Sequence, residues 1–176
     1  SKMLSPDFAL VIKHNALFTS LLESLIGDFP CFAIIRNPLA TMASWQTVDF
    51  PIHDGHVPMG EHFDEDLKAS LFSLSSTIDR QICILRWFFQ MFRVHLDRRQ
   101  VIRYEDIIES KGRILSIMIG KPCQFDTHLV NQNARSLYRH LDINQLLDRL
   151  VVEQDIFTEF YEIDELKTLA NEIEAL

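Results

Sequence analysis

The feature that most constrains this chain is a five-residue apolar run that stops at a charged turn. Cys31-Phe32-Ala33-Ile34-Ile35 carries no charged or amide side chain, and Arg36-Asn37-Pro38 follows it directly. A strand apolar on both faces is the pattern of a parallel sheet covered on each side. Asn37 reads as an N-cap and Pro38 as the first residue of a helix running to about Val48. Two more short segments suit strands of the same sheet, Phe8-Ala9-Leu10-Val11-Ile12 and Gln100-Val101-Ile102-Arg103.

Helical patterns separate these strands. Leu17, Leu21, Leu22 and Leu25 share a face over Ala16 to Ile26, with Gly27 as a stop. Thr77 to Leu96 is the strongest pattern, apolar nearly all round except for a stripe of Asp79, Arg86 and Arg93. Asp106 with Glu109 reads as a capping box for a helix through Ile119, and Asp142 with Gln145 repeats it. Asp164 to Ala175 closes the series. The order predicts an α/β fold, a short parallel sheet flanked by helices. One domain covers 1–176, with an α/β part at 8–125 and a helical C-terminal part at 126–176. Residues 49–66 read as a long polar loop.

Composition narrows the function classes. A net charge of −8 excludes a general nucleic-acid binder, which needs a basic surface. An apolar content of 47% excludes a disordered tail. No apolar run reaches the roughly 18–20 residues of a membrane span, and the opening residues show no secretory pattern. Three cysteines, Cys31, Cys83 and Cys123, stand apart among apolar neighbours and read as reduced core thiols of a cytoplasmic protein.

In open parallel sheets ligands bind beyond the carboxyl ends of the strands. Lys13-His14-Asn15, Arg36-Asn37-Pro38 and Tyr104-Glu105-Asp106 are the residues at those ends. Arg36 offers a planar fork for phosphate oxygens. The helix from Pro38 points its positive end and free N–H groups the same way. Ser44 adds a hydroxyl, and Tyr104 a flat face for a base. A phosphorylated nucleotide fits this set.

The segment from Ile35 to Ser44 resembles the Arg-Asn-Pro…Ser signature of the sulfotransferases that use 3'-phosphoadenosine 5'-phosphosulfate. Val101 to Ile107 is similar to that family's Tyr-Glu-Asp-Leu segment, Val11-Ile12-Lys13-His14 to its strand ending in lysine, and Gly112 to Pro122 to the helix that follows. The resemblance covers about residues 8–125. It implies a P-loop NTPase-like sulfotransferase fold, with Arg36 and Ser44 on the 3'-phosphate and Tyr104 by the adenosine. Lys13 would sit near the transferring sulfuryl group, and His14 is the candidate base. The acceptor would be a small molecule or carbohydrate with a hydroxyl or amine.

The sequence departs from the family in two ways. The family histidine stands two positions after the lysine, whereas Lys13 and His14 are adjacent. The glycine-rich loop that cradles the 5'-phosphosulfate has no counterpart among the five glycines, so the expectation is an N-terminally incomplete site. The alternative is a non-catalytic module keeping only the 3'-phosphate half-site; a nucleotide kinase relative fits less well. The His53, Asp54, His56, Glu61, His62 and Asp64 group matches no metal-ligand spacing, so no metal is assigned. Arg135 and Ser136 read as surface residues.

Overall fold

The structure, a computed structural model, describes Phe8 and residues 10–176. In chain order its elements begin with α1 (Asn15–Ser20), α2 (Leu22–Leu25), β1 (Ala33–Ile35) and α3 (Pro38–Trp45). Next come α4 (Pro58–Phe63), α5 (Glu65–Ser73), α6 (Thr77–His95), β2 (Val101–Arg103) and α7 (Tyr104–Glu109). Then follows α8 (Ser116–Ile119), and the C-terminal part holds α9 (Ile143–Val152) and α10 (Ile163–Glu174). The fold is mixed α/β and mostly helical. Among the described residues its sheet has two strands, β1 and β2, parallel and paired Ala33↔Val101, Ile34↔Ile102 and Ile35↔Arg103.

The buried centre is α3. Leu39, Ala40, Met42 and Ala43 are fully buried, packed against α9 and α10 and in one cluster with Ile82, Leu85 and Phe89 of α6. The cluster runs from Leu22 to Ile173, so both ends of the described chain contribute to it. A second cluster of Val57, Leu67, Leu71, Ile84 and Trp87 joins α4 and α5 to the opposite side of α6. The polar stripe of α6 faces the C-terminal part, where Asp79 pairs with Arg149, Arg86 with Glu153 and Asp155, and Arg93 with Glu159. Among the described residues no helix is long and apolar enough to cross a membrane.

Several expectations need correcting. The first strand is absent among the described residues: Phe8, Leu10, Val11 and Ile12 are 53–73% exposed and unpaired. Apolar character alone does not make a strand without a partner edge. Ala9 and residues 1–7, which held the rest of that segment and the opening run, lie outside the described residues. β1 is covered on one face only, with Ile34 left 53% exposed between buried Ala33 and Ile35.

The helix read from Ala16 to Ile26 is broken at Leu21 into α1 and α2. Residues 49–66 are no loop: a 3-10 turn (Pro51–Asp54) and α4 fill them, each opened by a proline. Two of their acidic residues hold backbone N–H groups at helix starts. Asp64 accepts the Leu67 N–H at 2.9 Å and the Trp87 indole N–H at 2.7 Å, and Glu61 accepts the Val57 N–H at 2.7 Å.

The helix read from Asp106 to Ile119 starts earlier, at Tyr104, without a side-chain cap, and ends at Glu109. Lys111 and Gly112 turn the chain through left-handed conformations at φ 53° and 83° before α8. The Phe125 ring lies where a side chain at Gly112 would stand. Gly112→Ala therefore meets both backbone strain and the ring, and is expected to destabilise the fold by about 1–3 kcal/mol, read as a lower urea midpoint. A midpoint equal to wild type would show that this turn is not held as described.

Candidate functional site

The two strands end side by side. With Ile35 opposite Arg103, the next residues of each chain segment are Arg36 and Tyr104, and the guanidinium carbon lies 5.4 Å from the phenol ring centroid. Parallel pairing is what makes both strands stop at the same edge. Val130 to Asn133, a stretch without helix or strand, crosses this edge as a strap. The Tyr104 hydroxyl donates to the Val130 carbonyl at 3.3 Å and accepts the Gln132 N–H at 3.0 Å. Arg36 Nε donates to Asn133 Oδ1 at 2.7 Å, and its Nη2 donates to the Gln132 carbonyl.

Glu105 fastens the same place from below the surface. Its Oε1 accepts the Asn37 N–H at 3.0 Å and the Asn133 amide at 2.6 Å, while Oε2 accepts the Tyr161 hydroxyl at 2.8 Å. Arg103 stacks on the Tyr161 ring at 4.3 Å and pairs with Glu165. Burial first, and the adjoining Glu105 carboxylate second, hold the Tyr161 phenol well above its ordinary range.

Asn37 caps α3 as its sequence predicts, Oδ1 accepting from Leu39 N at 3.0 Å and Ala40 N at 3.4 Å. This corrects one expectation about the site. The first N–H groups of α3 are not free: Asn37 N is held by Glu105, Pro38 has none, and Leu39, Ala40 and Thr41 bond back to Asn37. What α3 can offer an anion is its dipole, not open donors.

The structure brings Arg36 and Tyr104 together. Ser44 lies half-buried two turns along α3 from Arg36, and no hydrogen bond joins them. Lys13 and His14 stand exposed ahead of α1, and among the described residues no hydrogen bond, ion pair or ring contact joins either to Arg36, Ser44 or Tyr104. His14 Nδ1 accepts the Leu17 N–H at 3.3 Å as the cap of α1. That bond engages the lone pair a general base would use, since the other ring nitrogen carries the proton in the neutral form.

Sequence reading missed Glu105 as a hub and Asn133 altogether. Glu105 was visible only as the middle of Tyr-Glu-Asp. Asn131-Gln132-Asn133 has no periodicity to mark it, although a run of amides between two helical patterns is a turn signal. A cleft of about 370 Å³ opens beside Glu105 and Asn133, lined also by Asn37, Arg103, Glu162 and Glu165. Carboxylates dominate it, and neither Arg36, Ser44 nor Tyr104 lines it. It does not suit a phosphate. Among the described residues no group of three or more His, Cys, Asp or Glu is arranged to hold a metal ion. Cys31, Cys83 and Cys123 are free thiols, and burial pushes the first two above the ordinary thiol range.

Comparison of the chain with known protein families, curated proteins and solved structures finds no match. The reading of the site therefore rests on its own chemistry.

The raised Tyr161 phenol makes stability depend on pH in a definite direction. The folded state favours the neutral phenol, so its contribution is complete below the unfolded tyrosine pKa of about 10 and falls as pH rises beyond it. Melting temperatures across pH 8–11 should drop more steeply above pH 10 for wild type than for Tyr161→Phe. Parallel curves for the two proteins would refute the coupling.

Proposed function

We propose that this chain is a sulfotransferase-type domain whose strand-end site binds the 3'-phosphate of an adenosine 3',5'-bisphosphate nucleotide. The donor in that reading is 3'-phosphoadenosine 5'-phosphosulfate, and the reaction is sulfuryl transfer to a hydroxyl or amine acceptor. The observation that carries the proposal is the Arg36 guanidinium set against the Tyr104 ring at two adjacent parallel strand ends. A phosphate pairs with the guanidinium edge not used by the strap, and an adenine or ribose lies along the phenol. Ser44, carried by the same helix that Asn37 caps, supplies a hydroxyl donor. The finer fold assignment, a P-loop NTPase-like sulfotransferase fold, belongs to this proposal.

In sulfuryl transfer the work of the protein is positioning and charge stabilisation of an in-line displacement. Lys13 and His14 are the candidates for the transferring end. The engagement of His14 in the α1 cap favours a second reading, a module that holds the nucleotide without transferring its sulfuryl group. Release of the bisphosphate from the phosphosulfate donor with a phenol acceptor separates the two: turnover that falls in Lys13→Ala supports the enzyme, and no turnover supports the module.

Calorimetry tests the shared claim. Adenosine 3',5'-bisphosphate should bind more tightly than AMP, and Arg36→Ala should remove about 1.5–3 kcal/mol of that preference. Ser44→Ala should remove about 0.5–1.5 kcal/mol. Equal affinity for both nucleotides in wild type would overturn the proposal.

A further inference from the structure

We infer that Asn133 is a positioning residue for Arg36, locking one edge of the guanidinium so that the other faces the 3'-phosphate. The inference rests on the nucleotide reading above and adds a residue to it. Asn133 is only 5% exposed although it lies in a stretch without helix or strand. A buried amide is costly unless both its ends are paired, and both are. The carbonyl end accepts Arg36 Nε at 2.7 Å and the NH2 end donates to Glu105 Oε1 at 2.6 Å.

The flanking charges dictate that orientation. A guanidinium can only donate and a carboxylate only accept, so the amide turned end for end would set donor against donor and acceptor against acceptor. The Asn133 backbone is itself fixed, its N–H donating to Asn131 Oδ1 at 2.9 Å. With Gln132 taking Nη2, the Nε–Nη2 edge of Arg36 is filled. Nη1 has no hydrogen-bond partner among the described residues.

The series continues inward. Glu105, which holds Asn133, also accepts from Tyr161 and from the N–H of Asn37, the residue that starts the helix of Ser44. One carboxylate thus sets both the guanidinium and the helix that carries the serine. A side chain held in its binding geometry before the ligand arrives loses less freedom on binding. Asn133 contributes that restraint to Arg36 without touching the ligand.

The test measures the ratio of AMP to adenosine 3',5'-bisphosphate dissociation constants by calorimetry, with melting temperatures alongside. Asn133→Ala should lower the wild-type ratio by about three- to tenfold while leaving AMP affinity unchanged. A merely structural loss would weaken both nucleotides together. In an Arg36→Ala background, Asn133→Ala should have no further effect on the ratio. Asn133→Ser serves if the alanine variant fails to fold: its hydroxyl can still donate toward Glu105, while the side chain loses the carbonyl that holds Arg36 Nε, so the ratio should fall here too. A wild-type ratio near one overturns the nucleotide reading and this inference with it. A wild-type preference that survives whichever of the two substitutions folds overturns this inference alone.

Discussion

The Glu105 carboxylate accepts hydrogen bonds from three separate stretches of chain: the start of α3, the strap at Asn133 and the Tyr161 hydroxyl ahead of α10. Without it, a backbone N–H, a buried amide and a phenol would each lose a partner in a place that water reaches poorly. Charge-assisted bonds of this type are stronger than neutral ones, and here they converge where the two strands end. The sheet is short: three residues per strand set Arg36 and Tyr104 side by side in one pairing register and reach no further. The carboxylate does the alignment that a wider sheet performs in larger α/β proteins.

The parts of the fold that were legible in the sequence are those where one local signal dominates. The Asn37-Pro38 start of α3 and the Asp142 cap of α9 follow from residues adjacent to the element. Periodicity over 77–96 was long enough to leave no doubt of a helix. The failures share a cause as well. Phe8 to Ile12 has strand-like residues in the sequence, but pairing is a property of two segments, and among the described residues no second segment pairs with Phe8 or with residues 10–12. Pro51, Pro58 and the acidic caps look like loop chemistry because short helices are mostly ends. Asp106 to Ile119 reads as one helix from its capping-box pattern, yet Lys111 and Gly112 take left-handed conformations in the middle of it.

The candidate site divides along the same line. Arg36 and Tyr104 were visible because each follows its own strand, and parallel pairing then brings them together. Asn133 and Tyr161 were invisible because they reach the site from distant, irregular chain, and nothing in their neighbours announces a contact 97 residues away with Arg36. His14, whose ring suits proton transfer, caps α1 in the structure. The open N–H groups expected at α3 were lost for a related reason, since the same asparagine that marks the helix start consumes them.

The pairs between α6 and the C-terminal part carry a sign pattern. Along α6 the order is acid, base, base at positions 79, 86 and 93; the facing residues run base, acid, acid from Arg149 through Glu153 and Asp155 to Glu159. Half-exposed pairs contribute only about 0–1 kcal/mol each, so their sum adds little to cohesion. Their asymmetry matters more. A slip by two turns would set Arg86 against Arg149, turning attraction into repulsion at the first step. The seam therefore opposes that slip at its first position, and the apolar contacts beneath it supply the adhesion.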